Sequence, residues 1–184
     1  MGAHQHVCSA EHAKWLNNWA RKLLQNPERF VGRFIKEGDT VADFGCGPGF
    51  FTVPMAEMVG GSGKVLAFDI QQAMLEIVRR NAEKKGSADR IELRLCISNT
   101  LVGLDRDIDF ALAFYMVHEL VDRDAFFGEL RNYLRTNGRM LVVEPPFHVT
   151  AESFEETVAV GEKAGLKVKE RPKWFMNRAV LFSR

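Results

Sequence analysis

The stretch V-A-D-F-G-C-G-P-G, residues 41 to 49, permits few folds. Val41 to Phe44 is a short apolar run of the kind that forms a buried strand. Three glycines at alternate positions, Gly45, Gly47 and Gly49, follow it directly. Glycine lets a backbone turn sharply and lets a ligand approach it closely. A strand that runs into such a loop and then into a helix suits an open α/β sheet, which binds ligands beyond the carboxyl ends of its strands. Pro48 suits the first turn of that helix, where a missing N–H costs nothing. The helix is expected to reach about Val59 and stop at Gly60-Gly61, with Pro54 as an internal irregularity.

The alternation continues along the chain. Lys64 to Phe68 forms a second strand with Asp69 at its end. Met74, Leu75, Val78 and Ala82 recur at helical spacing, closed by Gly86. Ile91, Leu93 and Leu95 alternate as a third strand, and Ile108 to Phe114 is nearly all apolar, as the centre of a parallel sheet should be. Phe126, Leu130, Tyr133 and Leu134 give the next helix its inner face, and Asn137-Gly138 turns the chain into a strand at Met140 to Val143. Ser153 with Glu156 makes a capping box for a helix that ends at Gly165. Leu166 to Glu170 and Arg178 to Phe182 close the chain as an antiparallel pair. The expected fold is α/β: a doubly wound, seven-stranded, mostly parallel sheet with a C-terminal antiparallel hairpin and N-terminal helices. In the extension, residues 1–37, Trp15, Leu16, Trp19, Leu23 and Leu24 recur at helical spacing. So do Phe30, Val31, Phe34 and Ile35, after a break at Asn26-Pro27. These helices are expected to pack on the domain formed by residues 38–184, the first of them also serving as a lid.

Composition narrows the partners. A chain of 184 residues with 46% hydrophobic and 27% charged residues is an ordinary globular protein of one domain with a short extension. A formal charge of +1 gives no hint of nucleic acid or an anionic membrane. Lys163, Lys167, Lys169, Arg171 and Lys173 alternate with Leu166 and Val168, as on the solvated face of a strand. The longest apolar run, Phe110 to Val117, is too short to span a bilayer, and the polar first residues suggest no signal peptide. Cys8, Cys46 and Cys96, without a CxxC, fit a reducing, cytoplasmic setting. His4, His6, Cys8 and His12 have a spacing that can bind zinc or copper, but a polar terminus is the plainer reading and no metal is expected.

A dinucleotide loop would want GxGxxG, whose third glycine here is Phe50. The pattern is instead GxGxG with Asp43 in front. On these residues the chain resembles the class I S-adenosylmethionine-dependent methyltransferases, and among them the small ubiquinone/menaquinone-biosynthesis-like type; the resemblance runs over about residues 38 to 184. It implies a Rossmann-like methyltransferase fold with S-adenosylmethionine as cofactor. It places Asp43 near the cofactor's methionine part, and Gly45, Cys46, Gly47 and Gly49 around its amino acid and ribose. Asp69 would accept the ribose hydroxyls and Ile70 would lie against the adenine. Where many members have an Asp for the adenine amino group this chain has Ile97, so Ser98 or a backbone carbonyl would make that contact. D-F-A-L-A-F-Y-M-V-H-E-L resembles the family's fourth strand and its turn, with Ala113 and Phe114 beside the methionine portion and His118 and Glu119 beginning the next helix. Pro145-Pro146 follows the fifth strand, not the fourth, which disfavours amide and adenine acceptors.

A sulfonium methyl is already activated, so alignment and a dry site matter most, and a hydroxyl acceptor also needs a base. His118, Glu144, His148 and Tyr115 are the candidates. The expected partner is a small-molecule methyl acceptor, covered by the N-terminal helices or by a second chain in a homodimer. A dinucleotide-dependent oxidoreductase and a non-catalytic cofactor-binding module are the alternatives. Convergence of the three cysteines on a soft metalloid is a further, weaker reading.

Overall fold

In a computed structural model, residues 26–96, 107–174 and 177–184 are described. Helix α1 (Pro27–Val31) is capped by Asn26, whose side chain accepts from the N–H groups of Glu28 and Arg29. A short 3-10 turn, Gly32–Phe34, follows. Then come β1 (Thr40–Phe44), α2 (Thr52–Met58), β2 (Lys64–Asp69), α3 (Gln72–Lys85) and β3 (Ile91–Leu95). After β4 (Ile108–Phe114) and a 3-10 turn at Val117–Glu119 the chain forms α4 (Arg123–Tyr133), β5 (Leu134–Glu144), α5 (Ala151–Lys163), β6 (Lys167–Glu170) and β7 (Arg178–Ser183). The seven strands lie in the order β3-β2-β1-β4-β5-β7-β6. All neighbours are parallel except β5–β7 and β7–β6.

Both faces of the central strands are covered, which is why β1, β2 and β4 are mostly apolar, with polar residues chiefly at or near their ends. On one face Phe44, Phe68 and Val142 pack with Phe126, Phe127 and Leu130 of α4 and Phe154 of α5. On the other Val41, Phe110 and Leu141 pack with Phe30, Phe34, Met55 and Ala56. Phe30, Val31, Phe34 and Ile35 are all buried there, so this short helical segment is part of the sheet's core. The segment bearing Trp15 and Trp19 lies outside the described residues.

Several local expectations are corrected. The proline in the first turn of α2 is Pro54, not Pro48, because the glycine loop continues as turns to Phe51. Pro54 is therefore no irregularity: its missing N–H is one the helix start does not use. α5 begins earlier than the Ser153–Glu156 pattern implies, since Thr150 is the cap and its hydroxyl accepts from the Ser153 N–H at 3.1 Å. Leu134 opens β5 instead of closing α4, and β5 starts well before Met140 because Asn137 takes a left-handed conformation (φ 66) at a bulge opposite β4. His118 and Glu119 lie in a separate 3-10 turn ahead of α4. Lys167 and Lys169 are exposed on β6, as their alternation predicts.

Candidate active site

Strand order reverses between β1 and β4, and the carboxyl ends of those strands form the switch point of the sheet. The glycine loop leaves β1 there. The N–H groups of Gly45 and Cys46 both donate to the Phe68 carbonyl at 2.9 Å, and the Gly47 N–H donates to Asp69 Oδ2 at 2.8 Å. The other Asp69 oxygen accepts from the Gln71 N–H at 2.8 Å. Asp69 thus pins the loop to the end of β2, and with the Ile70 N–H as a third backbone donor its carboxylate still has capacity for a further one. Burial raises its carboxyl above the usual range, against the pull of those backbone donors.

The three glycines have different reasons to be glycine. A Cβ on Gly45 would come within 2.8 Å of Met116 Cβ, and one on Gly49 within 3.1 Å of Val78 on α3. Those two allow close packing of protein on protein. Only Gly47, at φ 52, faces open space. Room for a ligand therefore lies over Gly47, beside Asp69.

Asp43, at the end of β1, is buried, and Thr52 Oγ1 donates to its Oδ2 at 2.6 Å. Burial pushes its carboxyl up to about 7, while the Thr52 hydrogen bond opposes the rise and nearby Asp69 adds to it. A cation delivered here would find a carboxyl ready to give up its proton. Cys46 is buried beside the loop and its thiol is pushed well up, first by burial and then by Asp43 and Asp69. Cys96 is raised for the same first reason. Thiols held protonated are poor soft-metal ligands, so the metalloid reading gains nothing, and no cluster able to hold a metal occurs among the described residues. Ile97, Ser98 and the His4, His6, Cys8 and His12 group lie outside the described residues.

Ala113 and Phe114 end β4, buried. Tyr115 follows at φ 60, a conformation rare for a bulky residue. It is held by its N–H on the Val143 carbonyl, 2.8 Å away, and by its hydroxyl on Asn177 Oδ1. Backbone strain of this kind gathers at functional sites. Next, His118 and Glu144 come together. The Glu144 carboxylate, almost wholly buried, lies 2.6 Å from His118 Nδ1 and also accepts the His118 backbone N–H at 3.1 Å. A buried carboxylate only accepts, so Nδ1 carries the proton and Nε2 is left for another group. The hydrogen bond to Glu144 raises the His118 pKa against the effect of burial. His148 is exposed; its ring lies nearly parallel to that of His118, but with centroids 6.3 Å apart the two are not in contact.

The pairing of His118 with Glu144 had no local sequence signal, because 26 residues separate them. The same holds for Asn177, which is 62 residues from Tyr115. Thr52 as the partner of Asp43 was within reach, nine residues on and at the start of the next helix. Around this end of the sheet the exposed large hydrophobic residues of the described chain also collect. Ile70 follows β2, Leu95 ends β3, Val121 lies between β4 and α4, and Phe147 follows β5. No helix among the described residues is long and apolar enough to cross a membrane.

The residues at the switch point fit S-adenosylmethionine. There is open space over Gly47, a carboxylate with spare lone pairs at the end of β2, and a titratable acid ahead of the loop. Comparison with known proteins agrees. A family model described as a methyltransferase domain matches residues 35–179. A ubiquinone/menaquinone biosynthesis C-methyltransferase from Hahella chejuensis is 31% identical over 110 residues, 60% of this chain and 44% of that protein. A demethylmenaquinone methyltransferase from Lactobacillus johnsonii is 25% identical over 128 residues, 70% of this chain and 50% of that one. The chain thus spans about half the length of these curated relatives. Among solved structures, an S-adenosylmethionine-dependent methyltransferase from Aquifex aeolicus superposes with a TM-score of 0.85 at 26% identity, over 96% of this chain and 99% of that one.

Proposed function

The chain belongs to the methyltransferase-domain family and is an S-adenosylmethionine-dependent methyltransferase; on that premise we propose that it methylates a small, planar, phenol- or quinol-like acceptor by in-line displacement, with His118 as the base. The observation that carries this reading is the grip of buried Glu144 on His118, which leaves Nε2 free at the carboxyl end of the central strands. The names of the curated relatives, which act in quinone biosynthesis, support an aromatic acceptor.

When bound, S-adenosylmethionine supplies a methyl group on a positively charged sulfur, which keeps the bond's electron pair as it leaves. Asp69 would hold the ribose hydroxyls, Gly47 would give the room beside it, and Asp43 in its ionised form would meet the ammonium group. Cys46, Ala113 and Phe114 would wall the methionine portion, and Gly45 and Gly49 keep the loop tight. Ile70 would cover the adenine. His118 Nε2 would take the proton from the acceptor's hydroxyl, whose oxygen is the atom methylated. Glu144 keeps the ring oriented and balances its positive charge. Tyr115 and His148 line the acceptor side. Residues 1–37 would extend the 38–184 domain, and the segment bearing Trp15 and Trp19 would serve as its lid; a cytoplasmic setting belongs to the same reading.

The test combines binding and transfer. S-adenosylmethionine and S-adenosylhomocysteine should raise the melting temperature, as ligands of the folded state do, and nicotinamide dinucleotides should not. His118→Ala should retain S-adenosylhomocysteine binding and lose about 10²-fold or more in turnover of hydroxylated aromatic acceptors. A variant that turns over at the normal rate would remove His118 from the chemistry.

A further inference from the structure

A cavity of about 400 Å³ lies between the start of α5 and the segment that joins β6 to β7. Its walls include Phe154, Arg171, Lys173, Trp174, Asn177 and Arg178. Three of these residues tie it to the candidate active site. Asn177 accepts the Tyr115 hydroxyl. Trp174 packs on Phe30 with ring centroids 4.3 Å apart, and Phe30 meets the Phe114 ring edge-on. Arg178 is the strand partner of Glu144, so it stands one strand away from the residue that holds His118. Antiparallel partners have their Cα atoms about 5 Å apart and project to the same face.

The charge of this cavity is unbalanced. Both terminal nitrogens of the Arg171 guanidinium donate to the Glu155 carboxylate, at 2.5 and 2.8 Å. Glu170, at the end of β6, is held by Arg33, and Glu144 by His118. Lys173 and Arg178 have no ion-pair or side-chain hydrogen-bond partner among the described residues. These two cations, without an ion-pair partner among the described residues, share the lining with the rings of Trp174 and Phe154, a set suited to a flat, apolar body that carries a negative charge.

We propose that this cavity binds the distal end of the methyl acceptor, and that the acceptor is an aromatic carboxylate. Its carboxylate meets Lys173 and Arg178, its ring lies against Trp174, and its nucleophilic end points past Tyr115 toward His118. The inference rests on the methyl-transfer reading and adds a substrate class to it.

The experiment is calorimetry on the full chain saturated with S-adenosylhomocysteine. The probes are 4-hydroxybenzoate, 3,4-dihydroxybenzoate, 4-hydroxycinnamate and 6-hydroxy-2-naphthoate, each beside its uncharged methyl ester. At least one acid should bind about ten-fold or more tightly than its ester, the gap expected for a charge-assisted contact, and added salt should narrow it. The double variant Lys173→Met/Arg178→Met should abolish the preference, and Arg178→Lys on the native background should keep most of it. With any acid that is turned over, the double variant should raise KM and leave kcat nearly unchanged. If no acid is preferred to its ester, or the double variant keeps the preference, the inference is wrong. S-adenosylhomocysteine titrated alone separates the two readings. No binding of it sinks the methyltransferase assignment, whereas normal binding without a carboxylate preference sinks only the acceptor class. If the double variant fails to bind S-adenosylhomocysteine, the single variant Lys173→Met, at an exposed position, decides by reducing the preference or not.

Discussion

Asp43 and His118 are both titratable side chains whose surroundings favour the protonated form, for opposite reasons. For Asp43 the cause is burial. Unfolded, its carboxyl loses a proton near 3.8; folded, it holds the proton to about 7. Across that window the unfolded state binds fewer protons, so stability falls as pH rises from 3.8 to about 7. Asp43→Asn should flatten this part of the melting-temperature profile; an unchanged slope would assign it to other groups. An ammonium ligand favours the carboxylate, so S-adenosylhomocysteine should bind more tightly as pH rises through 7 and should release a proton, seen as a buffer-dependent binding enthalpy. For His118 the cause is the Glu144 carboxylate. A base acts only when unprotonated, so a raised pKa moves the acid limb of the rate profile upward. Glu144→Gln should move that limb to lower pH while reducing the plateau rate, a combination that simple loss of structure would not give. Asp69→Ala should weaken S-adenosylhomocysteine binding by about 1–3 kcal/mol, with the pinning of Gly47 lost as well; isothermal titration checks it. Asp43, Asp69 and the glycines were legible because their spacing is local. The His118–Glu144 and Tyr115–Asn177 contacts were not, because strand register brings their partners together and register leaves no mark within a short window.

At the scale of the element, the strands were the most legible part. The central ones, buried on both faces, appear as largely apolar runs, and β4 was placed at Ile108 to Phe114, whereas the start of β5 was missed. Helix starts were less so. Ser153 followed by Glu156 has the composition of a capping box, yet Thr150 is the residue with the extended backbone and the accepting hydroxyl. Thr150→Ala should cost about 1 kcal/mol in denaturant unfolding, as loss of a cap typically does, whereas Ser153→Ala should cost only a few tenths. The reverse order would restore the later helix start. Pro54 and Pro48 were interchanged for a related reason. Either proline suits a first helical turn, and only the length of the glycine loop, which no propensity encodes, decides between them.

For the whole molecule, the doubly wound class followed from alternating elements, but the strand order that creates the switch point was not read from the sequence and is seen only in the structure. Removing residues 1–25 keeps Phe30 and Val31 of the described core and should leave a folded protein by circular dichroism. On the lid reading, the truncated protein should bind cofactor more weakly and lose transfer activity. Outright unfolding would instead make the removed segment part of the core. The collection of Ile70, Leu95, Val121 and Phe147 at one end of the sheet has a thermodynamic consequence of its own. Apolar surface removed from water lowers heat capacity. Ligands and any cover that settle over these side chains should therefore make binding enthalpy grow steadily more negative on warming. Asp69, by contrast, contributes polar contacts whose enthalpy changes little with temperature. Replacing Ile70 and Phe147 together by serine should flatten that temperature slope while the charged contacts remain, so the protein's exposed grease would register as heat capacity before it registers as affinity.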